Sequence, residues 1–187
     1  VNAHKIHCSI LMLCATDTPH MEEAAAVVID AAPDETRIGL AGGTDFHTGA
    51  ALSVAVDDDA WAEATNRAIR SLATSAGITV DGRHILLTEG IDQKHGPRRT
   101  RELWVSLAFE KLGSRSMYLA ERSSLALFST GTTSGIVADA RSAVVVYEGS
   151  PLPHAVKRFE GEWSSAIAGA VSAAAMACDP DIKNAPG

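Results

Sequence analysis

The side chains best suited to chemistry in this chain of 187 residues are its cysteines, histidines and carboxylates. The cysteines include no CxxC pair, and the histidines form no HExxH or His-x-His motif. Spacing therefore gives little support to a zinc site. The odd number of cysteines favours free thiols in a reducing compartment. The three cysteines are Cys8, Cys14 and Cys178.

Three carboxylates occupy positions from which they could hold a divalent metal. Asp30 ends a β-branched run, Glu63 lies in a predicted helix, and Glu89 ends a second apolar run. Metal ions held in this way can drive phosphodiester cleavage. However, the net charge is -7 and aromatic residues make up only 5% of the chain. Both values disfavour nucleic-acid binding, so a metal-dependent nuclease remains only a remote alternative.

A basic run provides a candidate protein-docking patch. It lies at the start of a predicted helix, where cations interact unfavourably with the helix dipole. Another interaction is therefore expected to explain their presence. An acidic partner protein would supply that interaction, whereas the alternative is a solvated helix end. The run consists of Lys94, Arg98, Arg99 and Arg101.

The elements that must position these side chains follow an α/β pattern. Apolar runs predict strands at residues 25–30, 37–41, 51–56, 84–88 and 117–120. Helices are predicted after the N-cap residues 57–59, after Pro97, and through Phe128. A three-stranded meander followed by strand–helix units predicts a ribonuclease-H-like fold, with a mixed five-stranded sheet and flanking helices.

The pattern then starts again. Residues 134–139 and 143–148 form a predicted strand pair, and an alanine-rich helix is expected at residues 164–178. We expect an extension over residues 1–20, a first domain over 21–133, and the opening of a second domain over 134–187. The extension is a weak targeting signal or, in the favoured interpretation, a flexible or non-native leader. No apolar run is long enough to predict a transmembrane helix.

Two sequence blocks resemble the central signature of actins and actin-related proteins. They are GTTSGIVAD at residues 131–139 and YEGSPLPHA at residues 147–155. Shorter echoes occur in the same order as in actins, at residues 86–89, 101–102, 109–110 and 117–120. The resemblance implies an actin-type version of the predicted fold, in which two glycine-rich turns cradle nucleotide phosphates.

The first of these turns departs from the family pattern. Glycines allow bare backbone N–H groups to approach a phosphate closely, and residues 31–34 contain none. Pro33 removes a donor, and Asp34 adds negative charge. Arg37 replaces the phosphate-side lysine of the family. Asp30 matches a metal-side aspartate, although an aspartate that ends a strand more often caps a turn.

The second turn departs in the same way. Asp139 is retained, but the turn after it is shorter than in the family and has no glycine. Arg122 stands where the resemblance places the glutamine that positions the attacking water. The lobe that actins insert between the third strand and the first helix is absent. We therefore expect no bound nucleotide, cofactor or metal, and no enzymatic activity.

Other positions bear on partners. The resemblance implies a groove for amphipathic partner helices, although Tyr118 and Phe128 could equally be plain core. The groove residues are Tyr118, Phe128, Ser129, Gly131 and Thr133. The helix over residues 164–178 is apolar on nearly every side, which indicates burial against the fold or another chain.

The resulting hypothesis is a reduced actin-like protein that serves as a structural subunit of a larger cytoskeletal assembly. Its expected partners are proteins rather than nucleic acid or membranes, and it is not expected to form filaments by itself. The expected location is the cytoplasmic cytoskeleton, with the flagellar axoneme as one candidate. The alternative is an ATP-binding actin homologue.

Overall fold

The computed structural model describes residues 25–32, 35–52, 57–90, 97–139, 142–158 and 163–178. The chain divides into two compact units, the first ending at Glu121 and the second beginning at Arg122. The boundary expected from the sequence, after Thr133, lies further along the chain. The helix between the two positions groups with the second unit.

The first unit contains the predicted mixed five-stranded sheet. Its strand order is β3-β2-β1-β4-β5. The β1/β2 and β2/β3 pairs are antiparallel, whereas β1/β4 and β4/β5 are parallel. This arrangement confirms the fold predicted from the element order. The strands are β1 (Val27–Ala31), β2 (Glu35–Leu40), β3 (Phe46–Ala50), β4 (His84–Glu89) and β5 (Ser116–Glu121).

The first helix, α1 (Asp58–Ser75), begins as predicted. The backbone N–H of Ala60 donates to the Asp57 side chain at 3.2 Å, so Asp57 caps the helix N-terminus. Its buried face packs against the sheet through Ile69 and Ala73. The core of the first unit is built from large aliphatic side chains with a tryptophan, including Ile29, Ile38, Leu87, Trp104 and Leu107.

The second helix, α2 (Pro97–Ser106), continues into a π-helical turn (Leu107–Lys111). The N–H of Leu112 donates to the carbonyl of Leu107 at 2.9 Å, across five residues instead of four. The wider turn buries Leu112 and leaves Lys111 exposed. In a regular α-helix, position 111 would lie two turns after Trp104 on the same buried face. The π turn instead keeps Lys111 out of the core.

The predicted third strand is wrong. The sequence favoured residues 51–56, but the strand is Phe46–Ala50, and residues 53–56 lie outside the described part of the chain. Pairing with β2 sets the position and places Gly49 opposite Thr36. A Cβ at Gly49 would lie 3.2 Å from Leu72 Cδ2, so the strand packs closely under α1 at this glycine. Local β propensity contains no information about this tertiary contact, so it could not locate the strand.

The second unit repeats the opening of the first: an antiparallel three-stranded sheet in the order β6-β7-β8, followed by a helix packed on it. Its core is made mainly of small residues, including Ala143, Ala155, Ala170 and Ala174. This confirms both the predicted helix and the partial internal repeat. The elements are α3 (Arg122–Phe128), β6 (Gly135–Ala138), β7 (Ser142–Tyr147), β8 (Ser150–Arg158) and α4 (Trp163–Met176).

Strand β8 was not predicted from the sequence. Pro151 and Pro153 argue against a strand because proline cannot donate to the sheet ladder. In the structure β8 lies at the end of its sheet, and its pairing with β7 is irregular between Val144 and Val146. An edge position tolerates proline, because one side of an edge strand needs no ladder donors. Within the described residues, no helix combines the length and apolarity needed to cross a membrane.

Candidate functional site

Asp30 forms the centre of a buried polar row across three strands. In the sheet register it lies between Arg37 of β2 and Thr88 of β4. The hydroxyl of Thr88 donates to Asp30 Oδ1, and Nη1 of Arg37 lies 3.7 Å from Asp30 Oδ2. Asp30 and Thr88 are both buried. The sheet itself therefore provides the hydrogen bond and the positive charge that a buried carboxylate requires.

The guanidinium of Arg37 interacts with two carboxylates and an aromatic ring. It forms an ion pair with Glu35 on the same strand, in addition to its contact with Asp30. The guanidinium carbon also lies 5.7 Å from the centroid of the Phe46 ring, within the range of a cation–π contact. Two carboxylates thus face the guanidinium of Arg37, the residue that the sequence resemblance aligns with a phosphate-side lysine. Pro33 and Asp34 lie outside the described residues.

A second polar cluster lies at the carboxyl ends of β4 and β5. Glu89 and Glu121 are directly opposite each other in the parallel register. Arg101 of α2 bridges them, with Nε 2.7 Å from Glu89 Oε1 and Nη2 3.3 Å from Glu121 Oε1. One guanidinium thus serves two carboxylates. This pairing raises the pKa of Arg101, chiefly through its hydrogen bonds to Glu89.

The environment of Glu121 favours its protonated form. Burial raises the pKa of this carboxyl to about 7, and the neighbouring charge of Glu89 adds to the effect, while Arg101 opposes it. Glu121 was not singled out from the sequence. A usable signal was present: two apolar runs, at residues 84–89 and 116–121, each end in glutamate. Adjacent parallel strands bring such ends together.

In the second unit, Asp139 closes the turn between β6 and β7. Its Oδ1 accepts hydrogen bonds from the Ser142 backbone N–H at 2.7 Å and from the Ser142 hydroxyl at 3.1 Å. The N–H of Asp139 donates to the carbonyl of Ser142 at 2.9 Å. These contacts give Asp139 the geometry of a turn-capping residue. Arg122 is the first residue of α3 and is half-buried.

The two signature blocks form one structure. Glu148 and Gly149 make the two-residue turn between β7 and β8, and both have positive φ, 49° and 78°. The N–H of Glu148 donates to the Ser134 hydroxyl at 2.9 Å, and the N–H of Gly149 donates to the Thr133 carbonyl at 2.7 Å. Two hydrogen bonds therefore connect the hairpin turn to the segment that precedes β6.

The predicted groove residues fall in both units. Tyr118, in the first unit, is 67% exposed, so the alternative that it belongs to the core is wrong. Phe128 is partly exposed, and its ring lies over Gly149, where a Cβ would come within 2.8 Å of Cζ. The others lie in the turn after α3. Ser129 donates to the Ala126 carbonyl, Gly131 has a φ of 79°, and the carbonyl of Thr133 accepts from Gly149.

The basic run is accompanied by carboxylates. Arg98 pairs with Glu102 at 3.1 Å, and Arg99 forms an ion pair with Asp58 of α1. Arg101 turns toward Glu89 and Glu121. Lys94 lies outside the described residues. The docking patch remains a prediction, and its described cations are each next to an acidic group.

The three carboxylates considered for a nuclease lie in separate networks. Asp30 contacts Thr88 and Arg37, whereas Glu89 contacts Arg101. Glu63 is on the exposed face of α1 and pairs with Lys111, which lowers the pKa of Glu63. In the part of the chain that the structure describes, no three histidine, cysteine or acidic side chains form a group that could hold a metal ion.

Comparison with known proteins agrees with this geometry. The fold and the fastened signature blocks define an α/β protein of actin type, and a family model of actin matches residues 51–163. Actin-like protein 9 of Bos taurus is 38% identical over 73 residues, a stretch that covers 37% of this chain and 18% of that protein. The match therefore spans less than a fifth of that relative's length.

The chain belongs to the actin family. The family match covers more than half of the chain. It begins just after β3 and ends at the first residue of α4, and so includes elements of both units.

Proposed function

We propose that this chain is a non-enzymatic structural subunit of a larger cytoskeletal assembly. The observation that carries the proposal is the arrangement around Arg37. The guanidinium that would meet a nucleotide phosphate is already matched by Asp30 and Glu35. An incoming phosphate would have to compete with two carboxylates for one cation. The residues present therefore fit a nucleotide poorly.

The surroundings of Asp30 support the proposed loss of metal binding. Thr88 donates to one of its carboxylate oxygens, and Arg37 approaches the other. A hydrated magnesium ion would have to displace part of this network, because it needs carboxylate oxygens facing its water shell. The absence of glycine at residues 31–34 removes the backbone freedom that a phosphate cradle uses.

Isothermal titration of the whole chain with MgATP tests the loss of nucleotide binding. We expect no saturable heat up to millimolar nucleotide. Micromolar binding that is abolished by Asp30→Asn, but retained in the exposed control Asp45→Asn, would instead establish the ATP-binding alternative.

The scaffold role needs a test of partners. We propose that the partners are cytoskeletal proteins, because the chain belongs to the actin family. The net charge of -7 disfavours nucleic acid and anionic membrane surfaces as alternatives. Native purification of the tagged endogenous protein, with mass spectrometry and nucleotide analysis of the same eluate, should give stoichiometric cytoskeletal proteins without ATP or ADP. Axonemal proteins in that set would place the assembly in a flagellum. A lone protein carrying nucleotide would contradict the proposal.

A further inference from the structure

The outer face of α2 and its π turn forms an exposed apolar strip with charged ends. Val105 is 46% exposed and Phe109 is 47% exposed, although both side chains are large and apolar. A shallow, open groove of about 620 Å³ runs along this face. It is lined by Arg98, Arg101, Glu102, Val105, Ser106 and Glu110. Exposed apolar residues rimmed by charges are typical of an interaction surface.

The charges of this face differ between its two ends. Arg98 stands at the helix start with its side chain 92% exposed, and its carboxylate partner is Glu102 one turn further on. Glu110 lies at the other end and accepts a hydrogen bond from Ser106 at 2.9 Å. A rise of 1.5 Å per residue separates Arg98 from Glu110 by roughly 18 Å.

This arrangement is complementary to itself in the antiparallel direction. We propose that the face of α2 pairs with the same face of a second copy of the chain, across a two-fold axis near position 104. Arg98 of each copy then lies against Glu110 of the other, and Val105 lies beside the axis, where its apolar surface is covered. The inference does not rest on the proposed loss of nucleotide binding.

The charge pattern favours a second copy over a uniformly charged partner. A strongly acidic partner would meet Glu102 and Glu110, and a strongly basic one would meet Arg98. A segment with acidic and basic groups at opposite ends fits, and two-fold symmetry supplies that pattern. Such a contact is isologous and closes on itself, so it gives a dimer without continuing into a filament.

Charge reversal and charge exchange test the pairing directly, with sedimentation equilibrium of the full chain as the readout. We expect wild-type dimers at micromolar concentrations. Each single variant, Arg98→Glu or Glu110→Arg, places like charges together twice per dimer and should weaken dimerisation about tenfold. The double variant R98E/E110R restores opposite charges and should bring the affinity back to within about threefold of wild type.

Two further variants separate pairing from folding. Arg67→Glu reverses an exposed cation on α1 and should leave the dimer unchanged. Val105→Glu introduces a charge beside the axis and should give a monomer with an unchanged circular-dichroism spectrum. If V105E does not fold, the charge exchange still decides the matter. A wild-type chain that is monomeric at about 100 μM, or an R98E/E110R variant no tighter than the single variants, overturns the proposal.

Discussion

The two units start from the same plan but bury different kinds of side chain. In the first, three strands and α1 enclose large aliphatic residues such as Ile29, Ile38 and Ile69. In the second, three strands and α4 meet through Ala143, Ala155 and Ala174. Large side chains stabilise by the area they remove from water, whereas alanines allow the backbones to approach closely. The first unit should therefore be sensitive to truncation and the second to enlargement.

The largest effect is expected from truncating the core of the first unit. Ile29→Ala should lower the free energy of unfolding by about 3 kcal/mol, because it removes a fully buried side chain and leaves a cavity. Ile136→Ala, at an exposed isoleucine of the second unit, is the matched control and should cost less than about 1 kcal/mol. Urea denaturation followed by circular dichroism measures both. Equal losses of unfolding free energy in the two variants would contradict the difference in burial between Ile29 and Ile136.

Enlarging a core side chain of the second unit should lower the free energy of unfolding slightly less than the truncation of Ile29 does. Ala174 is fully buried between α4 and its sheet, so Ala174→Leu should destabilise by about 2 kcal/mol through overpacking. Ala168→Leu, on the exposed face of the same helix, should be close to neutral, because leucine is a good helix former. Thermal denaturation distinguishes them. A neutral A174L would mean that the alanine interface has spare room.

The fastened hairpin of the second unit gives a third comparison. Gly149→Ala should cost about 2 kcal/mol, because it combines a positive φ with a Cβ that would meet Phe128 at 2.8 Å. Gly77→Ala in the first unit has a similar φ of 67° but meets nothing within 4 Å, so it should cost about 1 kcal/mol. The difference isolates the contact with Phe128. In the background of Phe128→Ala, the two glycine variants should cost the same.

The smallest expected effect is the pH dependence contributed by Glu121. Its pKa is raised to about 7 in the folded chain, from an ordinary value of 4.5, so between these values the folded state binds more protons than the unfolded state. Stability should therefore fall as the pH rises from 4.5 to 7 and level off above that. A shift of this size corresponds to about 3 kcal/mol without screening. Glu121 is only partly buried, so solvent screening reduces the effect: Glu121→Gln should remove the fall and be about 1 kcal/mol more stable than wild type at pH 8 and nearly equal at pH 5.

Glu63→Gln is the matched control for that pH profile. Lys111 lowers the pKa of Glu63, so the contribution of Glu63 to stability is present above its ordinary pKa and is lost as the pH falls through the lowered value. The two glutamates of the first unit should thus have opposite effects on thermal stability between pH 4 and pH 8. If E121Q follows the wild-type profile throughout, another group is responsible for any slope seen.

Much of the fold was predictable where local pattern and final structure agree. The apolar runs of β1 and β4, the Asp57 cap and the periodicity of α1 all act within a few residues of sequence. Strand β3 could not be located in this way, because its position depends on pairing with β2 and on Leu72 packing over Gly49. Strand β8 was hidden by its prolines, which only an edge position tolerates.

The candidate site divides along the same line. The sequence by itself determined that Asp30, Arg37 and Asp139 are present and that residues 31–34 contain no glycine. Only the tertiary structure decided that Arg37 lies between two carboxylates, and that Glu89 and Glu121 share Arg101. Residue type and local period are properties of the chain, whereas charge pairing depends on which strands become neighbours. That choice is made by the burial of the whole sheet.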